Sequence, residues 1–220
     1  MTFPEGAVYS GEWQMELRWG KGDFTMASGD HYVGEWLSGK MHGRGVYDFA
    51  DGGRFEGRWE HNQRVDGDGA MHFPDHSVYR GQFQTDQPHG EGKWEKVAAA
   101  SESQGEAASY EGQWKIGKRC GQGTGKMPGG MGAYSGFWED DKRHGHGQFS
   151  GPKFGTYIGE WVCDERQGKG KHAKSDGEQY DGHWVADLWD GPGMLQQNNG
   201  VCFTGTFSKG LKVDGKLGQL

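Results

Sequence analysis

The sequence predicts an all-β fold, an elongated single-layer strip of stacked β-hairpins, twisted and grooved. Three observations carry that expectation. Glycine supplies 43 of the 220 residues, close to a fifth where about 7% is usual. Hydrophobic residues are only 32%, and much of that share is rings: 10 Trp, 11 Phe and 8 Tyr. Such a chain is too aromatic for disorder and too poor in aliphatic side chains for an ordinary globular core. The third observation is a repeat. Aromatic-x-Gly-x-aromatic recurs as Tyr9-Gly11-Trp13, Tyr32-Gly34-Trp36, Phe55-Gly57-Trp59, Tyr79-Gly81-Phe83, Tyr110-Gly112-Trp114, Tyr134-Gly136-Trp138, Tyr157-Gly159-Trp161, Tyr180-Gly182-Trp184 and Phe203-Gly205-Phe207. Successive starts lie 23, 23, 24, 31, 24, 23, 23 and 23 residues apart, and fixed periods of this size mark repeat arrays.

The first strand of each unit follows from alternation. Side chains on a strand point to opposite faces in turn, so Tyr32, Gly34 and Trp36 share one face. A glycine there leaves a slot in which a neighbouring ring can cover the backbone. Glu35 and its equivalents Glu12, Glu56 and Glu160 point to the other face or sit near a turn. The second strand opens on Gly-x-Gly at a fixed offset: Gly20/Gly22, Gly43/Gly45, Gly90/Gly92, Gly121/Gly123, Gly145/Gly147, Gly168/Gly170 and Gly191/Gly193. In the third unit it slips to Gly67/Gly69, and in the ninth only Gly215 and Gly218 remain. That ninth unit reads as a degenerate end repeat, since end repeats are usually atypical.

From Gly43 the shared face continues through Gly45, Tyr47 and Phe49, with Phe24, Met26, Met71, Phe73, Trp94, Met127, Phe149 and Leu195 in corresponding places. Asp51-Gly52 and Asp176-Gly177 then turn the chain into the next unit, Asp-Gly being a strong turn signal. One hairpin alone is marginal. Stacking buries each aromatic face against the next, and eight hairpins advancing ~10 Å each span on the order of 80 Å. The chain therefore reads as a single array over residues 1–220, with about eight full repeats, the degenerate ninth and an insertion loop near 96–109. That insertion, "KVAAASESQGEAAS", reads as a surface loop; Ser101, Ser103 and Ser109 make a regulatory segment the alternative.

Two stretches imitate chemistry. Gly34 to Lys40 spaces its residues like a phosphate-binding loop, as does Gly112 to Lys118. But Met41 and Arg119 stand where Ser or Thr is needed, and no helical pattern follows either. His42, His89 and His144 occupy one repeat position. Equivalent atoms of successive hairpins lie about 10 Å apart, too far for ligands that must approach zinc to ~2 Å, so these histidines read as turn residues. There is no catalytic triad order, no carboxylate pair distinct from the repeat and no cofactor fingerprint. No catalytic, cofactor-binding or metal residue is assigned, no cofactor is expected, and an enzyme is not.

Cys120, Cys163 and Cys202 are odd in number and unpaired in spacing, which suits a reducing, intracellular compartment. The opening "MTFPEGAVYS" has no apolar core of a signal peptide, and no apolar run approaches the ~20 residues of a membrane helix. A soluble, cytoplasmic protein is expected. Net charge is -7, unevenly spread: -9 over residues 1–111, +5 over 112–174 and -3 over 175–220. Lys115, Lys118, Arg119, Lys142, Arg143, Lys169 and Lys171 form a candidate docking patch for an acidic partner or anionic lipid, with ordinary solvated turns as the bland alternative. Nucleic acid is not expected of an acidic chain.

Residues 32–52, "YVGEWLSGKMHGRGVYDFADG", resemble the MORN (membrane occupation and recognition nexus) repeat almost position for position, and the resemblance extends over residues 9–207. It implies a non-enzymatic interaction scaffold associated with the cytoskeleton, a cilium or flagellum, or a membrane junction. A partner peptide or helix would lie along an aromatic, glycine-rich groove framed by Tyr32, Trp36, Tyr79, Phe83, Tyr110, Trp114, Tyr134, Trp138, Tyr157, Trp161, Tyr180 and Trp184. The alternative is a module for phosphoinositide or phosphatidic-acid headgroups, as the family name suggests. Similar repeat proteins also imply a homodimer, here through residues 157–220.

Overall fold

The computed structural model describes residues 1–65, 67–96 and 107–219. The 96–109 insertion, with Ser101 and Ser103, falls outside these residues except at its ends; Ser109 is the second residue of the strand that follows. The fold is all-β, and among the described residues the only helical turn is a 3-10 turn at Pro128–Gly130. Two compact units are present: Met1–Val97 with Gln113–Lys118, and Ala98–Gly112 with Arg119–Leu220.

In the first unit the strands are β1 (Val8–Gln14), β2 (Leu17–Thr25), β3 (His31–Leu37), β4 (Lys40–Asp48), β5 (Arg54–Glu60), β6 (Gln63–Arg64), β7 (Gly67–His72), β8 (Ser77–Gln84) and β9 (Gln87–Lys96). Each pairs antiparallel with its neighbour in sequence, except that the two-residue β6 leaves β5 to pair onward with β7. That break coincides with the slipped Gly67/Gly69 of the third repeat. β10 (Ala108–Lys115) follows the insertion. The second unit continues with β11 (Lys118–Lys126), β12 (Ala133–Glu139), β13 (Lys142–Gly151), β14 (Gly155–Val162), β15 (Glu165–Ala173), β16 (Gln179–Val185), β17 (Leu188–Gln196), β18 (Val201–Ser208) and β19 (Leu211–Gln219), paired antiparallel in order from β11.

The repeat glycines fall into two structural kinds. Gly45 lies opposite Gly34, and a Cβ there would meet the Tyr32 ring at 2.5 Å; the ring lies flat over the glycine backbone. Gly43, the first glycine of the same Gly-x-Gly, has φ of 61°. It sits in a bulge where the register of β3 and β4 shifts between Gly34 and Glu35, the kind of position that favours glycine. The bulge turns the Arg44 N–H out of the ladder, and Glu35 Oε1 accepts it at 2.9 Å. Glu12, Gln82 and Glu160 do the same for Lys21, Glu91 and Lys169. Glu12, Glu35, Gln82 and Glu160 thus mend the ladder from the face opposite the rings, whereas Glu56 of the slipped repeat pairs with Arg54 instead.

Each hairpin closes with two residues of positive φ, for instance Asp140 at 47° and Asp141 at 68°, the conformation of a type I′ turn. The reading of His42, His89 and His144 as turn residues is corrected here. They lie within β4, β9 and β13, because the chain reverses earlier, at Ser38–Gly39, Thr85–Asp86 and Asp140–Asp141. Their carbonyls accept the hydroxyls of Tyr32, Tyr79 and Tyr134. Asp51-Gly52 and Asp176-Gly177 do turn the chain between repeats, with Gly52 at φ 92° and Gly177 at 94°.

Candidate functional site: the ring-lined face

The rings expected to frame a groove form a zigzag within each unit. Tyr32 meets Trp36 of its own repeat at 5.2 Å between centroids and Trp59 of the next at 5.5 Å, both edge to face. Phe55, Phe83, Tyr79 and Trp114 extend the zigzag in the first unit. In the second unit it runs Tyr110–Trp138–Tyr134–Trp161–Tyr157–Trp184–Tyr180–Phe207. Edge-to-face pairs contribute about 0.5–1.5 kcal/mol beyond area burial. All twelve candidate rings are at most 9% exposed. They are the core of the sheet and the floor of its ring-lined face, and a partner laid on that face would touch the residues above them.

Hydrogen bonds fix the ladder. Trp161 Nε1 donates to the Gly147 carbonyl at 3.3 Å, and Trp184 Nε1 to Gly170 at 3.0 Å. The Tyr157 hydroxyl donates to the Glu160 carbonyl at 3.0 Å. Burial pushes the phenols of Tyr79, Tyr134 and Tyr180 up to about 12, and those of Tyr32 and Tyr157 higher still. They are fixed donors that keep their protons through the neutral range, so they hold the structure rather than shuttle protons.

Over this floor lies a row of side chains nine residues after each opening ring: Arg18, Met41, Arg64, Pro88, Arg119, Arg143, Arg166 and Trp189. In the second unit three members of the row are bracketed, while Trp189 meets Gly210 through main-chain atoms alone. The Arg143 main-chain N–H and Nε both donate to Asp164 Oδ1, at 3.0 and 2.9 Å, and Nη2 donates to the Asp164 carbonyl at 2.8 Å. Its guanidinium lies 4.2 Å from the Trp161 ring centroid, within cation–π range. Arg119 with Asp141 and Trp138, and Arg166 with Asp187 and Trp184, repeat the arrangement. Each Asp is the second residue of the next hairpin's turn. In the first unit only Arg64 and Asp86 form such an ion pair.

The candidate basic patch is divided by this geometry. Arg119 and Arg143 belong to the ring-lined face, committed to Asp141 and Asp164. Lys169 and Lys171 flank Gly170 on β15 and are exposed on the opposite face. Lys142 is exposed at the start of β13. Lys115 and Lys118 are exposed residues of the first unit. The sequence reading missed the aspartates, and it left Arg166 out of the patch. The signal was present: in four of the five repeats with Arg nine residues in, Asp stands seven residues into the next, Arg18 with Gly39 being the exception.

Each unit has an apolar cleft on the ring-lined face. In the second, about 340 Å³ is bounded by Met127, Phe149, Phe154 and Trp161, with Arg143 and Arg166 above. Phe154 is 58% exposed, and its carbonyl accepts His172 Nε2 at 2.7 Å; burial pushes the His172 pKa down, keeping the ring neutral. In the first unit, about 680 Å³ is bounded by Phe3, Trp13, Leu17, Phe24 and Arg18.

A stacked-hairpin array that spends its rings on its own core and leaves arginine-topped clefts is a repeat protein of the binding kind. The chain belongs to the MORN repeat family: that family's model matches residues 9–31, 32–54, 79–96, 110–124, 134–156, 157–179 and 180–202. The slipped repeat at Phe55 and the degenerate one at Phe203 lie outside these matches. MORN repeats generally mediate protein or lipid interactions and generally form non-catalytic scaffolds. No curated protein matches the chain. Among the described residues no helix is long and apolar enough to cross a membrane.

Proposed function

We propose that this chain is a non-enzymatic scaffold, one array of repeats whose ring-lined face receives a peptide or helix of a protein partner. The observation that carries the reading is the apolar cleft over the ring floor in each unit, with Trp13 42% and Phe154 58% exposed at the clefts. Large rings exposed beside arginine are the residues most often found at the energetic centre of interfaces. The setting proposed is cytoplasmic, at the cytoskeleton, a cilium or flagellum, or a membrane junction. The test is affinity capture with mass spectrometry, run with Phe154→Asp on the ring-lined face and Ile158→Asp on the opposite one. Partners lost with the first and retained with the second support the reading; equal loss or equal retention in both rejects it.

A second reading is favoured by the exposed pair Lys169 and Lys171: a site for anionic lipid headgroups, each lysine contributing about 1 kcal/mol near a charged membrane. Flotation with phosphoinositide or phosphatidic-acid vesicles at low salt tests it, and its loss in Lys169→Ala/Lys171→Ala is the expected result. Self-association through residues 157–220 is supported by Leu211, Val213 and Leu217 of β19, 65–73% exposed. Light scattering of the full chain at high micromolar concentration tests it, and a monomer rejects it.

A further inference from the structure

We propose that the first-unit cleft at Arg18 binds the carboxylate of an Asp or Glu in a partner peptide, with apolar residues beside that acid seated in the cleft. The proposal rests on the reading that the ring-lined face receives a peptide, and it names the chemistry of that peptide. The template is the protein itself. In four repeats the arginine of this row meets an aspartate from the following hairpin turn: Arg64 with Asp86, Arg119 with Asp141, Arg143 with Asp164 and Arg166 with Asp187. In each, one carboxylate oxygen takes both the arginine main-chain N–H and Nε.

Other members of the row are adjusted to their partners. Met41 has no charge, and Asn62 Oδ1 accepts its main-chain N–H at 2.8 Å. Pro88 has no N–H to satisfy, and its partner is Gly117. Arg18 breaks the rule. Its partner is Gly39, whose N–H donates to the Arg18 carbonyl at 3.0 Å and which has only a carbonyl to offer the side chain, accepting Nη2 at 2.8 Å. Among the described residues no carboxylate forms an ion pair with Arg18.

The guanidinium is nevertheless held in place. It lies 4.1 Å from the Trp36 centroid and 4.4 Å from that of Phe24. Burial pushes the Arg18 pKa below the usual arginine range, with Tyr9 opposing in part. The position that Asp164 fills in its own repeat opens here into the 680 Å³ cleft, among Phe3, Trp13 and Leu17, with Lys40 as a second cation. Glu5 and Glu16 line the same cleft, and neither reaches Arg18 within ion-pair distance. A preformed fork of donors against apolar walls suits an acidic residue flanked by apolar ones.

The test uses two probes on the full chain, acetyl-Phe-Asp-Phe-amide and acetyl-Phe-Asn-Phe-amide, followed through the Arg18 Nε–H and the Trp13 and Trp36 indole N–H signals by NMR. The Asp probe is expected to bind about tenfold more tightly than the Asn probe and to shift Arg18 Nε. Two variants remove that preference. Arg18→Met places in the row the residue that the next repeat carries at Met41. Gly39→Asp places the sister carboxylate in the cleft. Gly39 has φ of 80°, a left-handed conformation that Asp164 itself adopts at 74°, and a Cβ there meets only Leu17 Cδ2 at 3.6 Å, so this variant is expected to fold.

Equal affinity for the two probes, a preference that survives Gly39→Asp, or no Arg18 shift at millimolar probe overturns the proposal. If both probes shift Trp13 and Trp36 alike while Arg18 is indifferent, the peptide-binding face stands and the carboxylate assignment fails. Binding of phosphatidic-acid vesicles that Gly39→Asp abolishes, without preference for the Asp probe, gives the site to a phosphate headgroup and likewise overturns it.

Discussion

The two units carry the same ring ladder and fasten it differently. In the second, Arg119–Asp141, Arg143–Asp164 and Arg166–Asp187 close three consecutive repeats with one geometry. In the first, the corresponding pairs are Arg18–Gly39, Met41–Asn62, Arg64–Asp86 and Pro88–Gly117, four different solutions. The ladder positions vary only among aromatic rings, with glycine between them, because the rings fill buried slots that Phe can also fill at Phe55, Phe83, Phe203 and Phe207. The row above varies because several chemistries satisfy one main-chain N–H. The fold thus resides in the ladder, and the individuality of the surface resides in the row.

The largest effect tests what the units share. A phenol titrates near 10 in an unfolded chain, whereas Tyr79, Tyr134 and Tyr180 are pushed up to about 12 by burial. Above pH 10 the unfolded chain therefore holds fewer protons than the folded one, and stability falls with rising pH. The contribution is complete below pH 10 and lost as pH climbs through 12. Circular dichroism from pH 8 to 12 is expected to show cooperative loss of strand signal in that window. A chain stable past pH 12 would mean that the rings are not buried as described.

Next in size is the ring slot. A Cβ at Gly159 would lie 2.5 Å from the Tyr157 hydroxyl and 2.6 Å from Gly170 Cα, and backbone cannot yield cheaply. Gly159→Val is expected to cost about 3 kcal/mol in a urea melt. Gly34→Val in the first unit, with Gly45 Cα at 2.6 Å, is expected to cost the same, since the ladder is common to both. Costs that differ widely between the two would break the comparison.

Smaller is the bracket. Asp164→Ala leaves the Arg143 N–H and Nε without their acceptor, a loss of about 1 kcal/mol because the pair is partly solvated. Smallest is the converse change. Gly39→Asp gives the first unit a bracket of the second unit's kind, and thermal unfolding is expected to rise by the equivalent of ~0.5 kcal/mol. A fall in stability would show that Arg18 is not poised for a carboxylate.

The hairpins were legible in the sequence because strand alternation places Tyr32, Gly34 and Trp36 on one face whatever surrounds them. The sequence reading set the ring slot at Gly34, and the Tyr32 ring also covers Gly45 across the ladder; the reason for Gly43 was hidden, because a bulge depends on a shift of pairing that no single strand displays. The histidines misled because Gly-x-Gly resembles a turn, whereas the true turns, such as Cys163–Asp164, carry one weak letter each. The brackets were missed because Arg143 and Asp164 lie 21 residues apart and each looks like ordinary surface charge alone. The stacking of rings was legible, but its completeness was not: Tyr134 of the preceding repeat covers Trp161, so the rings expected to frame a groove are spent on the core.

Because each repeat is fastened by a turn residue of its successor, the array has a direction, and that limits how it can be lengthened. Tandem copying of residues 157–179 would present Arg166 to a new Asp164 and leave both seams matched. Copying residues 32–54 would face Met41 with a new Gly39, and a main-chain N–H now held by Asn62 would lose its acceptor. Growth by duplication is thus free at some joints and taxed at others, and the sequence of the seam, more than that of the repeat, decides which.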